Sequence, residues 1–275
     1  PTNIYDLETA RYLLKEARWG FRMGEKAAED ALHKDGFNCP LAGMLMGATA
    51  EVLNEEYSIT REEQDEYALN SHRKAVAAIK EGRFASEIVP VEIRDRKKGT
   101  IVFDTDEIPR EDTSLESLAK LPAIFKKDGS ITAGSSSALC DAGSAYIVAD
   151  SDWAKANGYT PLAEIAGYAS GALDAVHMGL GPTVAMPKAL EMAKMSLEDM
   201  EIIEINEAFS SQIIACHRVM KFDMDRLNPC GGAIALGHPI GATGGKILAT
   251  LVYSLKAQKK ELGIVSACIG GGQGV

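Results

Sequence analysis

Three side chains able to do chemistry stand where regular structure gives way to glycine-rich coil. His238 lies within Asn228-Pro-Cys-Gly-Gly-Ala-Ile-Ala-Leu-Gly-His-Pro-Ile-Gly-Ala-Thr-Gly-Gly245, a run that opens onto an apolar-periodic segment, residues 246–255. Glycines there let bare backbone approach a neighbour closely, and Pro239 restricts the backbone of His238 towards extended conformations. An imidazole on a stiffened turn above a helix start suits acid–base work. Asn206 begins Asn206-Glu-Ala-Phe209, and Cys268 begins Cys268-Ile-Gly-Gly-Gly-Gln-Gly274. A thiol beside an imidazole loses its proton more readily, and the glycines after Cys268 free amides of the kind that form an oxyanion hole. Each residue also has a plain structural explanation. His238 fits a surface histidine in a loop, Asn206 an ordinary helix cap, and Cys268 a buried strand-end thiol.

What would bring the three together is an alternation of strands and helices. The pattern predicts a strand over 162–168, a helix over 183–194, a strand over 201–205 and a helix over 209–220. A helix over 246–255 and a strand over 263–267 follow. Such alternation implies a layered α/β domain, and open α/β sheets place their sites at the carboxyl ends of strands, where Asn206 and Cys268 both fall. Upstream, a helix is expected over 46–53. Thr60-Arg-Glu-Glu63 reads as a capping box opening a helix to about residue 81, with Tyr67, Ser71, Ala75 and Ile79 on its buried face. Extended runs are expected over 87–93 and 100–104, a second capping box at Thr113-Ser-Leu-Glu116, and a buried strand over 145–150. Composition shifts near residues 137–160, which marks a domain boundary, and the first 60 residues read as irregular structure with helical turns.

The totals narrow the class. A chain of 275 residues, 46% hydrophobic and 25% charged, is an ordinary globular composition. A net charge of −10 argues against nucleic acid and against an anionic membrane as partners. The five cysteines (Cys39, Cys140, Cys216, Cys230 and Cys268) contain no C-x-x-C pair, so neither a zinc site nor a thioredoxin-like pair is expected. A reducing, cytoplasmic setting is the expectation. Two other motifs fail. Residues 241–246 have the wrong glycine spacing for a phosphate loop, with Ile247 where Ser or Thr is needed, and Ser135-Ser-Ser137 lacks the G-x-S-x-G elbow.

Taken together, Asn206-Glu-Ala-Phe209, Gly237-His-Pro-Ile-Gly-Ala-Thr-Gly244 and Cys268-Ile-Gly-Gly-Gly-Gln-Gly274, in this order and spacing, closely resemble the thiolase family. Supporting matches are Ala17-Arg-Trp-Gly-Phe-Arg-Met-Gly24, Met46-Gly-Ala-Thr-Ala-Glu51, Arg61-Glu-Glu-Gln-Asp65, Lys127-Asp-Gly-Ser-Ile-Thr-Ala-Gly134 and Met178-Gly-Leu-Gly-Pro182. The resemblance implies a layered α/β fold of helices on a mixed sheet, with an α+β loop domain that covers coenzyme A. Residues 1–139 would be that loop domain, 140–158 the last segment of the amino-terminal domain, and 159–275 the carboxyl-terminal domain without its final strand. The implied activity is acyl transfer between acyl-CoA and CoA by Claisen chemistry, either as an acetyl-CoA C-acetyltransferase or as a 3-ketoacyl-CoA thiolase of fatty-acid degradation. Acyl-CoA and CoA would be substrates, with no permanently bound cofactor and no metal.

By the same resemblance His238 would activate a nucleophilic cysteine and help to hold a thioester oxygen. Asn206 would position a water in that oxyanion hole, Cys268 would move the proton at the α-carbon, and the amide of Gly270 would belong to the second oxyanion hole. Arg110, Ser117, Phe125, Ala133 and Ser137 fall where the family contacts the nucleotide and pantetheine. Met46, Met178, Ala208 and Phe209 fall where it lines the acyl and pantetheine channel. The sequence departs from the family in three ways. None of the five cysteines has the C-x-S-G-like setting of the nucleophile, which implies an absent amino-terminal segment, a truncation or a separate chain. The final strand of the carboxyl-terminal sheet is missing. Leu45 stands where many biosynthetic members carry histidine, and Ser135 and Cys140 where they carry asparagine. A catalytically silent CoA-binding half-protein is therefore the alternative, and ketoacyl synthases rank below both. Family habit implies a homodimer or homotetramer.

Overall fold

Two helices organise the first half of the chain, the second with a start readable in the sequence. The computed structural model describes residues 12–13, 23–24, 27–95, 97 and 99–275; of the Ala17 to Gly24 motif, residues 17–22 lie outside the described residues. Helix α1 spans Met46–Glu56 and α2 spans Arg61–Lys80. The start of α2 is the expected capping box. Thr60 Oγ1 accepts from the Glu63 amide at 3.2 Å, and Glu63 Oε2 accepts from the Thr60 amide at 2.8 Å, so two orphan donors are satisfied reciprocally. Its buried face includes Ser71 and Ala75 but also Gln64, Asp65, Ala68, Leu69, His72 and Ala78. It is broader than the expected stripe because several elements pack around it.

Glu51 on α1 ties the two regions of this half together. The side chain is buried. Its Oε1 accepts the amides of Ser130 and Ile131, both at 2.8 Å, and its Oε2 accepts Asn54 Nδ2 at 3.0 Å. A side chain on Gly129 would collide with this carboxylate.

Four expectations need correction. The hairpin pairs Val91–Asp95 with Gly99–Phe103, so residues 87–90 stay outside the ladder, where Pro90 has no amide to contribute. The second capping box is shifted by one residue. Helix α3, Leu115–Ala119, is capped by Ser114, whose side chain accepts from the Ser117 amide, while Ser117 Oγ accepts from the Ser114 amide. Glu116 instead pairs with Lys120 one turn on, at 2.7 Å. Residues 145–150 form no strand, and Ile147 and Val148 are 97% and 78% exposed. Nor do residues 162–168, where Leu162, Ile165 and Tyr168 are exposed. Both stretches have strand composition, but neither has a ladder partner among the described residues.

From the short helix α4, Ser151–Ala156, onwards, the chain builds the layered part. The strands Ile202–Ile205 and Gly263–Ser266 pair in parallel, Ile202 with Gly263 through Ile205 with Ser266. Every residue of the first is buried, as expected for a strand covered on both faces. Ile203 and Ile205 meet α5, Gly181–Ala193, and α6, Ser210–Met220, in a core with Met186, Leu190, Ile213 and Cys216. Helix α8, Thr243–Gln258, packs against both strands of the pair, and Leu251 fills the space a side chain on Gly263 would need. Helices α5, α6 and α8 each end on a lysine in the left-handed region, Lys194, Lys221 and Lys259. A lysine there forgoes the conformational ease of glycine but sets a positive charge on the negative end of the helix. The short strands Cys268–Ile269, Gln273–Gly274 and Gly171–Ala172 form a three-stranded antiparallel patch beside this layer.

Replacing Glu51 by alanine strands two buried amides at once. Urea unfolding is expected to show a loss of about 2–4 kcal/mol for Glu51→Ala; an unchanged midpoint would contradict this account of how residues 130–131 are held.

Candidate active site

The carboxyl end of the strand Ile202–Ile205 is held by side chains that imitate a sheet. Asn228 Oδ1 accepts the Ile205 amide and Asn228 Nδ2 donates to the Ile205 carbonyl, both at 2.9 Å. The Asn206 amide donates to the Ser266 carbonyl at 2.9 Å. The next residue, Glu207, is buried and accepts from Tyr67 Oη at 2.8 Å, Ser71 Oγ at 2.7 Å, Asn228 Nδ2 at 3.1 Å and the Ile234 amide at 3.1 Å. A Cβ on Gly232 would lie 2.6 Å from Glu207 Oε2. The paired glycines after Cys230 therefore let the chain pass over a buried carboxylate.

That passage leads through the four-residue helix α7, Ala233–Leu236, to His238. Gly237 takes φ +87°, and any side chain there would run into Cys140. The His238 amide donates to the Ala138 carbonyl at 2.8 Å. The ring is gripped at Nδ1, which lies 2.6 Å from Thr243 Oγ1, while that hydroxyl donates to the Pro239 carbonyl at 2.8 Å. A hydroxyl has a single proton to give, so this bonding assigns the second proton to Nδ1 and leaves the Nε2 lone pair facing outward. Nε2 meets Asn206 Nδ2 at 3.4 Å. Burial, with the nearby Lys246 ammonium second, pushes the His238 imidazole down to about 4. At neutral pH the ring is an uncharged base.

Cys268 follows the parallel pair and joins an apolar cluster with Ala50, Ile131, Met178, Ala208, Phe209, Met46 and Phe125. Burial pushes its thiol up to about 12. This corrects the expectation that a neighbouring histidine makes a thiolate here: a neutral imidazole supplies no positive charge to stabilise one, so the thiol keeps its proton. Gly270 opens the turn that returns the chain to Gln273, and a side chain on it would strike Met46. Phe125 and Phe209 meet edge to face, with centroids 5.7 Å apart, and Phe125 occupies the space a side chain on Gly47 would need.

Asn206 and His238 are thus in direct contact, and Cys268 shares one cluster with Met46, Phe125, Met178, Ala208 and Phe209. Ser137 joins that cluster through its amide, which donates to the Ala208 carbonyl at 3.0 Å. Arg110, Ser117 and Ala133 lie apart from it. Arg110 lines a cleft against α2 with His72, Arg73 and Lys80, Ser117 is spent on capping α3, and Ala133 is exposed on the turn beside α3. Leu45, partly buried, ends a two-residue strand just before α1. Thr243, Glu207 and Lys246 are functional neighbours that motif reading passed over. The first two stand inside the motifs themselves, and Glu207 carried a signal in being an acid just past the end of a buried strand.

The family model described as "Thiolase, N-terminal domain" matches residues 7–152, and that described as "Thiolase, C-terminal domain" matches residues 159–275. The chain belongs to the thiolase family. An acetyl-CoA acetyltransferase of Escherichia coli is 47% identical over 271 residues, 98% of this chain and 68% of that protein. The solved structure of a Bacillus anthracis acetyl-CoA acetyltransferase superposes with a TM-score of 0.92 at 42% identity, over 98% of this chain and 68% of that one. Human mitochondrial 3-ketoacyl-CoA thiolase in complex with CoA gives a TM-score of 0.90 at 39% identity, over 98% and 66%. The layered α/β architecture is therefore that of thiolases.

The buried imidazole makes stability depend on pH in a defined window. The folded chain protonates His238 only near pH 4, whereas the unfolded chain does so near the ordinary 6.5. Between these values the unfolded state binds the extra proton, so stability rises with pH across about 4 to 6.5 and gains nothing further above it. The full contribution is about 3 kcal/mol. Urea unfolding at stepped pH is expected to show this slope in the native chain and to lose it in His238→Asn; an identical slope in both would contradict the assignment.

Proposed function

We propose that the chain carries the acid–base half of a thiolase active site, acting as an acetyl-CoA C-acetyltransferase in either direction of acetoacetyl-CoA formation and cleavage. The single observation that carries this reading is the contact of Asn206 Nδ2 with Nε2 of a His238 ring that Thr243 grips at Nδ1, with Cys268 in the apolar cluster that includes Ala208 and Phe209 of the same motif. Proteins similar to this chain bear the name acetyl-CoA acetyltransferase, and a structural neighbour is described in complex with CoA. Acyl-CoA and CoA are accordingly the substrates we assign. The 3-ketoacyl-CoA thiolase alternative stands beside this reading, because Leu45 in place of the histidine of many biosynthetic members weakens any assignment of acyl length.

In the cleavage direction a thiolate attacks the 3-keto carbon, and the bond between C2 and C3 breaks to leave acetyl-CoA as its enolate. Cys268 gives its proton to that carbon. A thiol pushed to about 12 is closer in basicity to such a carbanion than a free thiol, which suits it to move a proton in both directions. The sulfur proton of the incoming CoA goes to Nε2 of His238 as the acyl group is transferred and the attacking thiolate leaves, and it then passes to the Cys268 thiolate, which restores both groups. Asn206 Nδ2, 3.4 Å from Nε2, supplies a fixed donor beside the thioester oxygen. Ala208, Phe209, Met46, Met178 and Phe125 exclude water from the chain of the substrate. Arg110, in its cleft with His72, Arg73 and Lys80, suits the phosphates of CoA.

The attacking thiol we place outside these 275 residues, on a further segment or a separate chain. The surroundings of the cysteines support this. Cys39, Cys216 and Cys230 are buried, burial raises Cys140, and Cys268 is already assigned to the carbon acid. The exposed Ile147, Val148, Leu162, Ile165 and Tyr168 give such a segment an apolar surface to pair with. We assign residues 1–139 to the CoA-covering domain and 159–275 to the carboxyl-terminal domain.

CoA-dependent cleavage of acetoacetyl-CoA by the whole protein tests the reading. His238→Ala and Cys268→Ala are each expected to lower kcat by a factor of about 100 or more, with CoA binding retained. Turnover unaffected by either substitution would contradict the assigned roles.

A further inference from the structure

Lys246 stands in the first turn of α8, eight residues beyond His238, and has no role in the chemistry described so far. Its Nζ donates to the Gly237 carbonyl at 2.9 Å and to the Leu236 carbonyl at 3.2 Å. These are the two carbonyls that lead directly into His238, at the carboxyl end of α7, where backbone dipoles favour a cation. We propose that Lys246 is a positioning residue for His238, anchoring the backbone on which the imidazole is carried and setting a fixed positive charge beside the ring.

The backbone geometry explains why an anchor is needed. Gly237 is in the left-handed region at φ +87°, so the turn has little intrinsic preference for this shape. The His238 amide is held by the Ala138 carbonyl and the ring by Thr243, but the carbonyl side of the turn depends on Lys246. A neutral donor at this place would satisfy the two carbonyls. A charged one also disfavours a second charge on the imidazole.

The ammonium is itself placed among acids. Asp106, Cys140, Glu207 and Glu204 face it and oppose the lowering that burial imposes on its pKa. Glu87, bonded to Thr250 on the same helix, also feels its charge. Lys74 adds a second positive charge near Glu204. On the imidazole side the neighbours are Asn206 and Thr243, both uncharged. Lys246 is thus the charge that links a buried acidic cluster to the base of the site. The role assumes that His238 is the base of the acyl-transfer site, as proposed above, but the positioning itself is read without turnover.

The test compares Lys246→Gln, which keeps a donor for the carbonyls and removes the charge, with Lys246→Arg, which keeps both. The His238 ring is titrated by NMR in the histidine-labelled whole protein, with His238→Asn to identify its signals. In Lys246→Gln the titration is expected to move upward from about 4 towards the ordinary histidine range, while Lys246→Arg stays near the native value. The acidic limb of the kcat profile should move in the same direction, with KM for acetoacetyl-CoA little changed. If Lys246→Gln fails to fold, Lys246→Arg decides the matter: it must fold and titrate as the native chain does. A ring that titrates alike in the native and Lys246→Gln proteins overturns the proposal. A native protein with no acyl-transfer activity would instead overturn the functional reading, while the titration would still decide the role of Lys246.

Discussion

A buried carboxylate with four donors is the constraint on which the site depends. Glu207 receives Tyr67 and Ser71 from α2, Asn228 from the turn after α6, and the Ile234 amide from α7. An acid this deeply placed is tolerable only when its oxygens are satisfied, and the partners come from three separate parts of the chain. The requirement fixes the end of the strand Ile202–Ile205, the glycine passage after Cys230 and the direction in which α7 delivers His238. Asn206 is therefore held beside His238 by the bonds its neighbour makes together with its own amide bond to the Ser266 carbonyl. A fully satisfied polar network of this kind favours one arrangement over competing ones.

Protonation in the site follows from burial more than from partners. The imidazole is kept neutral by its partial burial and by the nearby lysine, and burial keeps the proton on the thiol. An uncharged base and a protonated thiol thus coexist at the same pH, which is the condition for moving protons on and off carbon. Thr243 adds the choice of tautomer, since the proton it sends to Pro239 obliges Nδ1 to carry the other.

Much of this was legible in the sequence, for identifiable reasons. The capping box at Thr60 and Glu63 is a local signal and holds. The alternation from residue 181 to residue 266 is legible because each element is long enough to show its period and is covered by the next. The three motifs mark Asn206, His238 and Cys268 because glycine and proline punctuate them. The second capping box failed by one residue because Thr113 with Glu116 and Ser114 with Ser117 are both chemically possible, and the pairing of Glu116 with Lys120 leaves only the second. The strands over 145–150 and 162–168 failed because apolar composition reports a wish to be buried, not the presence of a partner. Glu207 and Lys246 escaped notice because their meaning lies in contacts from distant segments. Glu207 meets Tyr67 and Ser71 of α2, far back along the chain, and Lys246 collects acids from four separate stretches. The reactivity of Cys268 was misjudged because spacing carries no information on burial.

The most direct measurement is a crystal structure of the whole protein with a non-hydrolysable analogue of acetoacetyl-CoA. The account predicts the thioester sulfur against His238 Nε2, the thioester oxygen within hydrogen-bond distance of Asn206 Nδ2, the α-carbon against Cys268 Sγ, and the acyl chain among Met46, Phe125, Met178 and Phe209. A ligand bound with its acyl group away from His238 and Cys268, in a protein that still turns over, would contradict it.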